Sequence, residues 1–380
     1  NQLLGTVRIL AYARRVDASA ATVRQLEQRV RGLVTTLVSS QHASGGWTWH
    51  PGKGKDIDIM VTCCAYRALV LADKAGIVVN AETIAKAGKY LQDTFHDLGA
   101  TANEPKAVVL HALSVNDVAE FAHVNRLYRA RNDLPVTALA YTALAFTNLG
   151  RQEFANELTD ILLAKRKTGA GEDPPKAYWE HEASHKRLRH DTHATALVLM
   201  LFSRLRPDAE QGHAAARYLM DAWGCYGPRS GQLYGPVLAA LASWYGSGEE
   251  ERADFAVEVR VNDRVLATIR SKDGLDHRTM SVPSDLVKDG RNRVEFRKAG
   301  RGRFTYAVTL YGFSRELQDP KSWSHPYVRH RRYYHDKLTY RGRPLGPSSS
   351  TRISKLEIGQ RTEVRVDFSN HGSRGYLLVE

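Results

Sequence analysis

Apolar positions in the first 250 residues recur at helical spacing, and one eight-residue segment of that pattern returns along the chain. Thr62-Cys63-Cys64-Ala65-Tyr66-Arg67-Ala68-Leu69 reappears as Thr137-Ala138-Leu139-Ala140-Tyr141-Thr142-Ala143-Leu144, identical at five of the eight positions. Looser copies stand at Thr195-Ala196-Leu197 and Ala239-Ala240-Leu241. Small residues at this spacing let neighbouring helices approach closely. Each copy is followed by polar or Gly punctuation and a further amphipathic run, so the unit is a helical hairpin that must stack on copies of itself to bury its apolar face. The periodicity predicts helices over 2–16, 20–42, 57–76, 81–97, 117–131, 134–149, 151–166, 190–205, 209–222 and 233–246. Asp17 and Ser19, Asn80 with Thr83, and Asp208 are placed as start signals, and Gly76, Gly150 and Gly246 as helix ends. Antiparallel helix pairs in this number suit an α/α toroid, the closed form of such a repeat.

After Glu249-Glu250-Glu251 the period changes from helical to two. Phe255, Val257, Val259 and Val261 alternate with polar residues, Asn262-Asp263 reads as a turn, and Val265, Ala267 and Ile269 alternate again, a hairpin signature. Val294-Phe296 and Tyr306-Val308-Leu310 complete a small antiparallel sandwich, with Asp289-Gly290 and Gly300-Arg301-Gly302 as turns. A linker with Pro320 and Pro326 leads to a second β segment, where Leu356, Ile358, Val364, Val366 and Phe368 alternate. The expected fold is multidomain α + β: a helical toroid over 1–250, a small β-sandwich domain over 251–318, and an incomplete β domain over 319–380. The chain opens without Met or a leader and closes inside the apolar run Tyr376-Leu377-Leu378-Val379, so it reads as a piece of a longer protein.

Charge divides along the same line. Residues 1–250 hold 28 Lys/Arg against 25 Asp/Glu, and 251–380 hold 26 against 16, so most of the net +13 sits in the β half. Its Arg residues alternate along strand-like runs without interleaved aromatics on a helix, which favours a solvated basic face over a nucleic-acid surface. No stretch of 18 apolar residues is present, so no membrane span is expected. Three cysteines give no disulfide framework, and the adjacent Cys63 and Cys64 point about 100° apart on a helix, as small core residues rather than a redox pair.

Gln41-His42-Ala43-Ser44-Gly45-Gly46-Trp47-Thr48-Trp49, followed by the Thr62–Leu69 helix, resembles the Gly-Gly-Trp segment of the thioester-type α/α toroid in bacterial alpha-2-macroglobulin family proteins. Asp191–Leu197 and Trp223–Tyr245 resemble later hairpins of that toroid. Phe255–Tyr311, with Gly290-Arg291-Asn292-Arg293-Val294 and Gly302-Arg303-Phe304-Thr305-Tyr306, is similar to the β domain that follows it, and Arg332-Tyr333-Tyr334 with Leu356–Glu380 to the start of the receptor-binding-type sandwich. The resemblance implies a non-catalytic segment of a protease-trapping or surface-defence protein. Its partners would be proteases or other proteins reached through the parent molecule, without nucleic acid, and its setting extracellular, periplasmic or at the cell surface. The family's Cys-x-Glu-Gln thioester is absent. Gln25-Leu26-Glu27-Gln28 puts Gln where the nucleophilic Cys is required, and it lies 17 residues before Gly45, in the helix leading to the Gly-Gly-Trp turn. On this reading Gln41, Gly45, Gly46, Trp47 and Trp49 form a structural motif, and no catalytic residue or cofactor is expected.

Two other constellations compete. His181-Glu182-Ala183-Ser184-His185 is a literal H-E-x-x-H, which on a helix would present two imidazoles to zinc with a Glu as general base, and His190 and His193 follow closely as further candidate ligands. Its flanks, Pro174-Pro175 and Lys186-Arg187-Leu188-Arg189, suit a solvated inter-helix loop better than a buried zincin helix. Leu37–Gln41 leading to Gly45-Gly46-Trp47 also resembles the Gln-Trp repeat of triterpene cyclases, with Asp56 and Asp58 as paired carboxylates. Only one such repeat is complete, so Gln41 is expected at a helix end and Trp47 and Trp49 over the hairpin. The alternative function is therefore an α/α toroid enzyme acting on an isoprenoid or lipid, or a metal-dependent hydrolase. The appended β segments argue against it.

Overall fold

A computed structural model of the protein describes residues 1–49, 57–169, 175–182, 190–223, 231–247, 254–271 and 280–301, with 304, 306 and 308. It further describes the backbone of four strands within 328–370. The chain divides into two compact units, Asn1–Ala307 and Val308–Glu380.

The first unit contains eleven helices among the described residues: α1 (Gln2–Arg15), α2 (Ala20–Ser39), α3 (Ile59–Lys74), α4 (Ala81–Asp97), α5 (Asn103–Ser114), α6 (Phe121–Arg129), α7 (Val136–Asn148), α8 (Gln152–Ala164), α9 (Asp191–Leu205), α10 (Glu210–Trp223) and α11 (Gly231–Tyr245). Local chemistry sets their starts. Ser19 accepts from Thr22 N at 3.2 Å, Asp58 from Met60 N and Val61 N at 2.9 and 3.0 Å, and Asn80 from Glu82 N at 2.8 Å. Gly76 and Gly150 follow α3 and α7 with φ of +79° and +69°, the left-handed conformation that closes a helix. Gly246 has no such φ and ends α11 otherwise.

Helices alternate in kind. In α7 every residue from Val136 to Phe146 is buried, and in α9 every residue from His193 to Ser203; α2 buries only Val30 and Val34. Burial and contact follow the same alternation. Successive odd-numbered helices from α1 to α11 pack on one another and α11 returns to α1, while each even-numbered helix packs on odd-numbered neighbours in sequence. A Cβ on Gly235 of α11 would collide with the Asn1 carbonyl, and one on Gly5 of α1 would stand 3.2 Å from Leu238. The return contact thus needs small residues on both helices.

α5 was not expected from periodicity. Pro105 sits in its first turn, where a missing N–H costs nothing, and Ala107–Ser114 are all buried, so no polar stripe marks the helix. The expected helix over 117–131 is shorter, because Asp117 takes φ +58° and turns the chain before α6. Between α8 and α9 a two-residue pair, β1 (Lys167–Thr168) with β2 (Ala177–Tyr178), carries the chain back.

The rest of the unit is a three-stranded antiparallel sheet, with β3 (Asp254–Val261) between β4 (Arg264–Arg270) and β5 (Val294–Arg301). Val257, Val259 and Val261 form its buried side. Asn262 and Asp263, at φ +48° and +70°, make the two-residue turn whose twist suits a hairpin. One expectation changes here. Gly300 and Arg301 belong to β5, paired with Phe255 and Asp254, instead of forming a turn. Tyr306 and Val308 are exposed, and Phe296 stacks on Tyr306 at 4.1 Å; Leu310 and most of 302–318 lie outside the described residues.

In the second unit β6 (Val328–His335) pairs antiparallel with β9 (Glu363–Asn370), and β7 (Thr339–Tyr340) with β8 (Arg343–Pro344). Tyr334, Arg332 and His330 stand opposite Val364, Val366 and Phe368. Pro320, Pro326, Leu356, Ile358 and the closing apolar run lie outside the described residues.

Candidate functional site

The Gly-Gly-Trp segment joins α2 to α3. Trp47 is 2% exposed; its backbone N–H donates to Thr62 Oγ1 at 3.0 Å and its indole N–H to the Leu37 carbonyl at 2.9 Å, near the end of α2. Gln41 Nε2 donates to the carbonyls of Gly45 and Thr83 at 2.8 and 3.0 Å, tying the turn to α4. Gly45, at φ +96°, leaves no room for a Cβ against the Lys86 carbonyl, and a Cβ on Gly46 would collide with Ile57 Cγ2. Trp49 is half-buried. Asp58, a candidate acid, spends its carboxylate on the first turn of α3, and Asp56 lies outside the described residues.

The same arrangement occurs a second time, which the sequence reading missed. Trp179, fully buried, donates from its backbone N–H to Thr195 Oγ1 at 3.1 Å and from its indole to the Leu162 carbonyl at 2.6 Å. Trp47 stands 15 residues before Thr62 and Trp179 16 before Thr195. In each case an Asp, Asp58 or Asp191, stands four residues before the Thr. That spacing was the available signal. At the middle repeat Thr137 instead donates to Glu104 Oε1 at 2.9 Å.

The histidines do not converge. His181 lies after β2, outside any helix or strand, with its backbone N–H and Nδ1 on Asp191 Oδ1 at 2.8 and 2.6 Å. Glu182 pairs with Lys165 at 3.0 Å. His190 is half-buried, its pKa lowered first by burial and then by His181. His185 lies outside the described residues. The first two residues of the H-E-x-x-H are therefore not helical, as a zincin pair would have to be. Among the described residues no three His, Cys, Asp or Glu side chains group at metal-binding range. Beside Glu182, an open groove of about 400 Å³ is lined by Glu104, Asp133 and Lys165.

His193 turns inward. Its Nε2 lies 2.8 Å from the hydroxyl of Tyr141, both residues being buried. Arg67 interacts with the same hydroxyl. Burial, then the charges of Arg67 and His190, hold the His193 pKa down to about 3, so the imidazole is neutral. His111 of α5 lies 5.3 Å from the Tyr141 ring; burial, then Arg67, Arg204 and Arg8, keep it neutral too. Burial raises the Tyr141 phenol and pushes the Cys63 thiol well above its usual range, which removes Cys63 as a nucleophile. Gln25–Gln28 lies on the outer part of α2, with Glu27 bound to Arg14 at 2.7 Å.

No protein-family model and no curated protein sequence matches the chain. Solved structures do, at the level of fold. A native alpha-2-macroglobulin of Escherichia coli, spanning domain MG7 to the C-terminus, superposes with a TM-score of 0.51 at 14% identity, over 87% of this chain and 50% of that one. Salmonella alpha-2-macroglobulin reacted with methylamine gives 0.55 at 14% identity, over 91% of this chain and 22% of that one. The chain spans half or less of the length of these relatives in structure. The likeness is one of fold, between a mostly helical chain with small antiparallel sheets and the corresponding parts of bacterial alpha-2-macroglobulins.

Proposed function

We propose that the chain is a non-catalytic segment of an alpha-2-macroglobulin-like protein, in which an α/α toroid and the following β domains serve protease trapping or surface defence. The observation that carries this reading is the order of the chain, helices whose odd members close on one another, then a small β sheet, then further strands, together with its likeness in fold to the E. coli and Salmonella proteins over about nine-tenths of its length. The Gly-Gly-Trp turn, Gln41 and Trp49 act as scaffold in this reading, because Trp47 and its hydrogen bonds join one helix pair to the next. Proteases reach the segment through the parent molecule, outside the cytoplasm, and the domains divide near residues 250 and 318. No described helix is long and apolar enough to cross a membrane.

The parent protein incubated with an endopeptidase tests this. Trapping leaves the protease able to cut a small peptide substrate while shielding it from a protein substrate. Equal inhibition of both, or of neither, refutes trapping. The hydrolase alternative is tested separately by metal analysis of chain purified without chelator: stoichiometric zinc, lost together with peptidase activity in His185→Ala, would replace the present reading.

A further inference from the structure

We propose that His111 of α5, Tyr141 of α7 and His193 of α9 form an acid-released latch inside the helix ring, which frees the first turn of α9 when the two imidazoles take up protons. The three side chains are buried and meet across three successive odd-numbered helices. His193 Nε2 lies 2.8 Å from the Tyr141 hydroxyl, and the His111 and Tyr141 rings pack with centroids 5.3 Å apart. His111 Nδ1 is buried and has no hydrogen-bond partner. A His111 cation, which donates from both ring nitrogens, would leave that donor unpaired. A His193 cation would stand against a phenol that Arg67 already engages.

The groups around the two rings oppose protonation. Among the described residues, Arg67 of α3, Arg204 of α9 and Arg8 of α1 act on His111, and Arg67 and His190 on His193. Cys63 and Cys64 of α3 also face Tyr141. Acidic side chains of the even-numbered helices lie toward the surface in pairs, Glu82 with Lys86 on α4, Glu157 and Asp160 of α8 with Arg131 and Arg206, and Asp221 of α10 with Lys176. His123 of α6 packs on Phe95 and His213 of α10 on Trp244. α11, the other odd-numbered neighbour of α9, carries no Asp, Glu, Lys, Arg or His.

Solvent stops one residue short of the latch. His190, Asp191 and Thr192 are half-buried, whereas every residue from His193 to Ser203 is buried, as is every residue from Val136 to Phe146 of α7. Charging either ring therefore requires water to enter the seam, and the first turn of α9 is the part that can move with least loss of packing. Trp179, whose backbone N–H donates to Thr195 Oγ1 in that region, would be released with it. His181, on Asp191 Oδ1 at 2.6 Å, acts in the opposite sense, because its protonation strengthens the pair. Both latch imidazoles are held neutral, with pKa values depressed from the ordinary 6.5, so the latch holds above pH 6.5 and weakens as pH falls below it.

Limited proteolysis of the 380-residue chain from about pH 7.5 to about pH 5 tests the latch, with a papain-type protease normalised at each pH on an unstructured peptide. At the upper pH α9 should resist cleavage. Below pH 6.5 cuts in its first two turns should appear ahead of cuts in any other helix. Their rate should steepen toward about 100-fold per pH unit, the dependence of an opening that takes up two protons. His111→Gln and His193→Gln should each reduce this to about tenfold per unit, and the double variant should nearly abolish it. His193→Gln, which keeps a hydrogen-bonding group for Tyr141, decides the matter if the other variants do not fold. Acid-induced cuts that begin in another helix, an unchanged rate between pH 6.5 and 5, or a folded variant as pH-dependent as the parent would each overturn the proposal.

Discussion

Thr195→Val isolates one hydrogen bond of the second Trp module. The substitution keeps the volume and β-branching of the side chain and removes the oxygen that accepts from Trp179 N at 3.1 Å. Trp179 is fully buried, so its amide is left without water or partner. The cost of one buried unsatisfied donor is about 1–3 kcal/mol. Thr62→Val does the same to Trp47, and should cost a similar amount. The two modules sit on α3 and α9, which do not neighbour one another in the order of packed helices, so the double variant should lose the sum of the single losses to within about 0.5 kcal/mol. Urea unfolding followed by far-ultraviolet circular dichroism reads these values as shifts in midpoint at unchanged slope. A Thr195→Val midpoint indistinguishable from the parent's would show that the hydroxyl is not the partner its position implies. A double variant far from additive would show that the modules are not independent repeats.

Three further outcomes are expected. Because the His193 pKa is about 3 in the fold against 6.5 when unfolded, stability is full above pH 6.5 and is lost as pH falls toward 3; about 2–3 kcal/mol should go by pH 4.5, and His193→Gln should flatten that dependence relative to the parent. Gly46→Ala forces a methyl group against Ile57 and, at 3.1 Å, against Thr62 Oγ1; a loss of about 1–3 kcal/mol in the same unfolding assay is expected, and an unchanged midpoint would mean the turn can shift. Limited proteolysis should cut first around 246–252 and 319–326 and release a stable helical piece of about 250 residues, whereas first cuts inside the Thr137 or Thr195 helices would deny that the helical part is an independent unit.

Elements with strong contrast were legible, and those without it were not. α2, α4 and α8 carry one apolar face against a polar one, and the hairpin β3–β4 pairs alternating side chains with an Asn-Asp turn, so period alone locates them. α5 lacks that contrast because nearly all of it is buried, and Pro105 in its first turn reads as a break until its position at the N-terminus is known. Gly300 looked like a turn residue because glycine permits positive φ, and it does adopt +100°, but within a strand paired to Phe255. The residue type was informative and the context was not.

The site was less legible for a related reason. Gln41, Gly45, Gly46 and Trp47 are close in sequence, so one local motif exposes all four. Trp179 carries the same role without Gly-Gly before it, and the two are linked by a near-equal distance to a Thr in the following helix, 15 and 16 residues, and by the Asp four residues before that Thr. His193 shows the converse. Adjacency to H-E-x-x-H made it a candidate zinc ligand, yet one helical turn points it to Tyr141 and away from His181. Chemistry built from one segment can be read from spacing, while chemistry assembled around a ring of helices depends on which face each helix turns inward.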